Sequence, residues 1–246
     1  MGITTIEAEN SFALSFVQTG SIVPAIIARE KAQAVKKNGL LEIADSKESM
    51  ESIGGLDLLK DWLLKRKHAF SPQAREYGLR LPKGVLILGL PGTGKSLAAK
   101  ATASVFGVPL LKLDAGGIFE SLVGQSEANL RAVLQTAEAV SPCVLWMDEI
   151  EKALSGSQSA GSTDGGTSAR VFGSFLNWLQ EKQKKPVFVI ATANDVSKLP
   201  PELLRKGRFD ELFFVDFPNR EERQAIWNIQ IAKEFDVVQL SKATEG

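Results

Sequence analysis

The stretch Gly89-Leu90-Pro91-Gly92-Thr93-Gly94-Lys95-Ser96 sets glycines, a lysine and a hydroxyl at the spacing G-x-x-x-x-G-K-[ST]. Glycine lets the backbone curl until successive N–H groups face one point, and a helix starting there adds the positive end of its dipole. The chemistry this serves is phosphate binding, with Lys95 reaching the β- and γ-phosphates and the Ser96 hydroxyl ligating Mg²⁺. Downstream, the apolar run Val144-Leu145-Trp146-Met147 ends in Asp148-Glu149. Two carboxylates at a strand's exposed end, with no basic partner evident nearby in sequence, suit a site that awaits a cation. Asp148 would hold Mg²⁺ and Glu149 would polarise the attacking water. A third apolar run, Val189 to Ala193, ends in Asn194, whose amide can bond that water or the γ-phosphate if the two strands are neighbours. Arg205 and Arg208 lie three apart beside Gly207 and can face one direction. An arginine aimed at a γ-phosphate stabilises transition-state charge, worth roughly 10³–10⁵ in rate. Each of these last three signals is weak alone, since acids open turns, asparagines end strands and arginines line solvated surfaces. In this order behind the glycine loop they reinforce one another.

Positioning such groups takes a sheet whose strands end together. The runs Val85–Leu88, Val108–Leu113, Cys143–Met147, Val187–Ala193 and Glu211–Phe217 alternate with helical stretches near Ser126–Val140 and Ala169–Gln183. Near-continuous apolar strands separated by helices predict an α/β fold, a doubly wound parallel five-stranded sheet covered on both faces, with its site at the carboxyl ends of the strands. Ahead of it, Thr4 with Glu7 fits a capping box opening a helix with the broad apolar stripe Ile6, Phe12, Leu14, Phe16 and Val17. A second helix is expected after Ser21, with Pro24 in its first turn, ending at Lys36-Lys37-Asn38-Gly39. Two such helices must pack on something to bury their apolar faces. Ala44–Ser52 reads as a polar linker, and the Gly/Ser-rich Ser155–Ser168 as a mobile loop.

Composition excludes other chemistries. The chain's 246 residues hold 29 Lys+Arg and 29 Asp+Glu, so no net field grips nucleic acid or an anionic membrane. One cysteine, Cys143, and one histidine, His68, rule out a disulfide framework within the chain and multi-Cys or multi-His metal sites. Cys143 reads as a buried strand residue, His68 as part of a solvated basic face (Lys65 to His68), and Trp62, Trp146, Trp178 and Trp227 as core or interface. No apolar run approaches a membrane span and the N-terminus has no signal-peptide pattern, which points to a reduced, soluble, intracellular protein.

The loop, the acidic strand, the asparagine strand and the arginine pair, in this order, resemble the AAA family of ATPases. Thr192 to Asp210 is similar to that family's second region of homology, with Leu203-Leu204-Arg205-Lys206-Gly207-Arg208-Phe209-Asp210 as its signature. The resemblance implies a P-loop NTPase core hydrolysing ATP with Mg²⁺. Gly89, Pro91, Gly92, Thr93, Gly94, Lys95, Ser96, Leu97 and Asp148 would bind the nucleotide and its metal. Catalysis would fall to Glu149 and to Asn194, the first sensor, with Arg205 and Arg208 as fingers reaching a neighbouring subunit's site. Ser52-Ile53-Gly54-Gly55-Leu56 is similar to the family's adenine-contacting segment, with Ser52 where aspartate is usual, so Ile53 and Gly54 join the cofactor-binding set. The similarity covers Glu51 to Ala232.

Within the family, Phe70 to Leu79, Cys143 to Trp146, Ser168 to Gly173 and Leu203 to Phe209 resemble phrases of an uncharacterised AAA group encoded in cyanobacterial and plastid genomes. Ile6 to Asn10 resembles the end of that group's N-terminal domain. The implied organisation is a helical remnant and linker (1–50), an AAA core (51–218) and the start of a truncated helical lid (219–246), since thirteen residues follow Lys233. The implied assembly is a homo-oligomer, hexameric in the intact protein, acting on a protein client in the cytoplasm or plastid stroma, with neither nucleic acid nor membrane as partner. Two departures stand out. Leu122 occupies the aromatic place of the pore loop at Ser121–Gly124, which weakens a threading role, and the Gly/Ser segment falls at the second pore loop. The alternative is a nucleotide-dependent binding or assembly module with little turnover, favoured by the short lid.

Overall fold

The computed structural model describes residues 5–23, 26–27, 39–44, 48–114, 118, 125–152, 165–181, 185–231 and 236–244. Along the chain run α1 (Thr5–Thr19), β1 (Leu41–Ala44), α2 (Asp57–Lys65), α3 (Pro72–Glu76), β2 (Gly84–Gly89), α4 (Lys95–Phe106) and β3 (Leu110–Leu113). Then come α5 (Gln125–Val140), β4 (Cys143–Met147), α6 (Gly165–Glu181), β5 (Val187–Ala193), β6 (Glu211–Val215), α7 (Arg220–Gln230) and α8 (Val237–Ala243). The strands form one sheet in the order β1-β3-β4-β5-β2-β6. The five strands β2 to β6 are mutually parallel, as the apolar runs predict.

Side-chain alternation divides the core between the sheet's two faces. Leu86 and Leu88 of β2, Leu145 and Met147 of β4, and Val189 and Ala191 of β5 face the cluster shared with α5 and α6. Val85, Ile87, Val144, Trp146, Phe188 and Ile190 face the cluster shared with α2 and α4. Burial on both faces is why these strands read as unbroken apolar runs. Phe188 anchors the second face, with its ring centroid 5.0 Å from Phe106 and 6.3 Å from Trp62. β2 is held tightly from either side. A Cβ on Gly84 would lie 2.0 Å from the Val189 carbonyl oxygen, and one on Gly89 2.0 Å from that of Val215.

The sheet also has a sixth strand that the linker reading did not include. β1 pairs antiparallel with β3, Leu41 opposite Leu113 and Ala44 opposite Leu110. Only Leu41 of its residues is buried, so it has no apolar pattern of its own and is held by the edge that β3 offers. Met50–Ser52 forms a single 3₁₀ turn rather than open linker. The helix α6 begins at Gly165, inside the segment read as a loop, and 155–164 lie outside the described residues. α1 is present, but among its described side chains the buried ones are Ser11 and Ser15, while Phe12, Phe16 and Val17 of the apolar stripe are exposed. Thr4 of the capping box, most of the expected second helix and Ser121–Gly124 also lie outside the described residues. His68 is exposed in the turn that follows α2, not on a helix. Cys143 is buried, as expected of a strand residue.

Candidate active site

The carboxyl ends of β2, β5 and β4 lie side by side, and the groups of interest cluster there. After β2 the chain turns through Gly92 (φ +82°) and Gly94 (φ +90°), left-handed conformations in which a side chain would be strained, and Gly94 caps α4. Lys95 opens that helix with only 7% of its surface exposed. Its ammonium donates to the carbonyl oxygens of Gly89 (2.8 Å) and Leu90, and Thr93 Oγ1 also donates to Leu90 O (2.8 Å). Burial pushes the Lys95 ammonium below the usual lysine range, against the pull of Glu151, Asp148 and Glu149, in that order. A buried ammonium bonded to loop carbonyls has little hydration to shed on meeting a phosphate oxygen. Ser96 beside it is exposed.

The acids are fixed by the neighbouring strand. Thr192 Oγ1 donates to Asp148 Oδ1 (2.6 Å) and accepts from the Glu149 N–H (3.0 Å). Asn194 Nδ2 donates to Glu149 Oε1 (2.9 Å), and the Asn194 N–H donates to Glu151 Oε1 (3.0 Å). Glu149 has φ +48°, one of two non-glycine residues with positive φ among those described. That conformation costs about 1–2 kcal/mol and is held by this network, a pattern common where a side chain must be aimed. Lys152 pairs with Glu149, which corrects the expectation that the acids lack a nearby basic residue. Three residues on, in the helical turn after the acids, is where a side chain returns to the same face. That bond, more than the one from Asn194, holds the Glu149 carboxyl below the usual carboxylate range and pushes the Lys152 ammonium up.

The donor set fits Mg²⁺ carried in with a phosphate. No group of three His, Cys, Asp or Glu able to hold a metal exists among the described residues. Mg²⁺ needs no such cage, because one or two protein oxygens plus phosphates and waters satisfy it. The Ser96 hydroxyl and the Asp148 carboxylate are the oxygens on offer, with Asp148 oriented by Thr192.

Beside the loop lies a cavity of about 200 Å³ lined by Ile53, Gly54, Gly92, Thr93, Gly94 and Leu97, all singled out in the sequence. Its other wall, Asp216, Pro218, Glu222, Ile226, Ile229 and Gln230, comes from the chain after β6 and from α7, and no motif marked it. α7 sits directly on the two glycines. A Cβ on Gly54 would meet Ile226 Cγ1 at 2.5 Å, and one on Gly55 Glu222 Cγ at 2.9 Å. The largely apolar slot suits a flat ring with phosphates extending to the loop.

Arg205 and Arg208 are not brought to this cluster. Asp210, next to them, accepts the N–H groups of Lys83 (2.6 Å) and Gly84 (3.0 Å), and Lys83 Nζ donates to Gly207 O (2.6 Å). The arginine turn is thereby fastened to the start of β2, while the phosphate loop leaves its end. Five strand steps, about 17 Å, separate them. Arg205 is exposed, and Arg208 Nη1 is shielded from solvent with no hydrogen-bond partner among the described residues.

Similarity to known proteins agrees with this geometry. Residues 85–217 match the AAA family, the ATPase family associated with various cellular activities. The chain is 54% identical over 208 residues to an uncharacterized AAA domain-containing protein, ycf46, of Pyropia yezoensis, covering 85% of this chain and 42% of that one. It is 52% identical over 226 residues to the protein of that name from Gracilaria tenuistipitata var. liui, covering 89% and 45%. An ATP-dependent zinc metalloprotease FtsH of aster yellows witches'-broom phytoplasma is 35% identical over 216 residues, covering 83% and 30%. The chain spans less than half the length of these relatives.

Proposed function

From the premise that the chain belongs to the AAA family of ATPases, we propose that it hydrolyses ATP at the cluster around Lys95 and couples the cycle to remodelling or regulation of a protein partner. The observation that carries the reading is the hydrogen-bonded chain Asp148–Thr192–Glu149–Asn194 beside a desolvated lysine. Gly92, Thr93, Gly94 and Lys95 bind the triphosphate, with Gly89 and Pro91 shaping the loop, and Ile53, Gly54 and Leu97 bound the base pocket. Ser96 and Asp148 would hold Mg²⁺, which would supply neutralisation of charge on the phosphates. Asn194 orients a water, which attacks the γ-phosphorus while Glu149 takes its proton. The bond to the bridging oxygen breaks, and ADP and phosphate leave. Arg205 and Arg208 stabilise the transferring phosphoryl group from a neighbouring copy, so the working form is a ring. Such a protein works in a soluble compartment, the plastid stroma where a plastid genome encodes it; no helix among the described residues is long and apolar enough to cross a membrane.

Two measurements test this. Glu149→Gln keeps ATP binding but lowers turnover by about 10²–10³, and retained turnover removes Glu149 as the base. Specific ATPase rate rises with protein concentration as copies assemble, and a flat profile removes the shared site.

A further inference from the structure

We propose that Glu151 is a positioning residue for hydrolysis, its carboxylate fixing the main chain of Asn194 so that the Asn194 amide can hold Glu149. The inference rests on the reading of this cluster as an ATPase site. Glu151 is 3% exposed, an unusual place for a carboxylate. Its Oε1 accepts the Asn194 N–H, and Oε2 is shielded from solvent with no hydrogen-bond partner among the described residues. Burying a carboxylate with one oxygen unbonded costs several kcal/mol in general, so the fold bears that cost for what the other oxygen does. What it does is local. Asn194 follows directly on β5, which ends at Ala193, so past this point no strand partner fixes its backbone. That N–H donates instead to the carboxylate of Glu151, in the first turn after β4. The same residue's side chain donates to Glu149 Oε1. Glu151 therefore ties the end of β5 to the turn that carries Glu149, and it sets the distance between sensor amide and candidate base.

Charge is a second effect of the same group, since Glu151 exerts the strongest pull of the three acids on the Lys95 ammonium. The two effects separate by substitution. Glu151→Gln keeps a carbonyl oxygen for the Asn194 N–H and removes the charge, whereas Glu151→Ala removes both.

The test compares wild type, Glu151→Gln and Glu151→Ala in the full chain by steady-state ATPase kinetics and by amide hydrogen exchange at Asn194. Loss of one hydrogen bond to a buried group corresponds to about tenfold in an equilibrium or rate. Glu151→Ala is expected to lower kcat about tenfold or more with KM changed less than about twofold, and to speed exchange at Asn194 by about tenfold relative to the centre of β5. Glu151→Gln is expected to restore most of both. Equal loss in the two variants would show that charge toward Lys95, not the hydrogen bond, is what counts, and would overturn the proposal. So would unchanged exchange at Asn194 in Glu151→Ala. If wild type itself shows no turnover, the ATPase reading and the catalytic role of Glu151 both fail, while the exchange data still report whether the Glu151–Asn194 bond exists.

Discussion

The two ends of β2 carry opposite kinds of polar structure. At its carboxyl end most charged groups are hydrogen-bonded: Lys95 to the loop carbonyls, Asp148 to Thr192, Glu149 to Asn194 and Lys152, with one buried oxygen of Glu151 left unbonded among the described residues. At its amino end the main chain is fastened, through Asp210 and Lys83, while the arginines themselves stay uncommitted, Arg205 exposed and Arg208 with a nitrogen that bonds nothing among the described residues. On the proposed reading, the arginines held by this fixed backbone act on a neighbouring copy's ligand. About 17 Å of strand lies between the two ends, which is what supports the proposal that one copy's arginines serve another copy's phosphate loop.

The largest effect that can break this contrast comes from splitting the two ends between copies. Lys95→Ala loses ATP binding, and Arg205→Ala keeps binding but loses roughly 10³ in turnover. Mixed in equal amounts, the two inactive proteins should regain activity, because about a quarter of the interfaces in a randomly assembled ring place an intact Lys95 opposite an intact Arg205. A mixture no more active than its parts would mean that both ends act within one chain, or that no shared site forms.

How much of this was legible beforehand follows from where each signal resides. The glycine loop and the strands were readable because both depend on local pattern, glycine spacing in one case and two-sided burial in the other. The roles of Thr192 and Glu151 were not. Thr192 sits inside an apolar run, and its hydroxyl matters only because β5 lies against β4, a fact of topology rather than of spacing. Glu151 and Lys152 follow the acids in a helical turn, where charged residues ordinarily read as solvated, and the i+3 return of Lys152 was the one local clue. The start of α6 was misread for the opposite reason. Composition at Gly165 and Gly166 argues against a helix, but Val171, Phe172, Phe175, Leu176 and Leu179 bury one face of it, and packing outweighs propensity. The far wall of the base cavity had no motif at all, since Ile226 belongs to it only through the seat that Gly54 leaves for α7.

A middle-sized effect sharpens the contrast at the amino end. Asp210→Ala leaves the N–H groups of Lys83 and Gly84 without their acceptor, at a cost of about 1–3 kcal/mol in urea unfolding. Because the arginine turn loosens while the phosphate loop is untouched, turnover should fall with ATP affinity unchanged, and Asp210→Asn, which retains an oxygen, should recover most of the loss. A change in ATP affinity would couple the two ends and contradict their separation.

The smallest effect tests the carboxyl end at its most solvated bond. Lys152 is the main reason the Glu149 carboxyl is held below its usual range. A general base works as the carboxylate, so kcat/KM falls as pH drops through the pKa of the free enzyme. Lys152→Ala removes the main cause of the depression, raises that pKa and moves the acid limb of the profile to higher pH. The side chains of Lys152 and Glu149 are 70% and 39% exposed, so solvent screening keeps this the smallest of the effects. Raising salt on the wild type should move the limb in the same direction, and move it less in Lys152→Ala, where only the pull of Lys95 remains to be screened. A limb that ignores both changes would mean that Glu149 is held by Asn194 alone, and that the network at this end closes without the lysine.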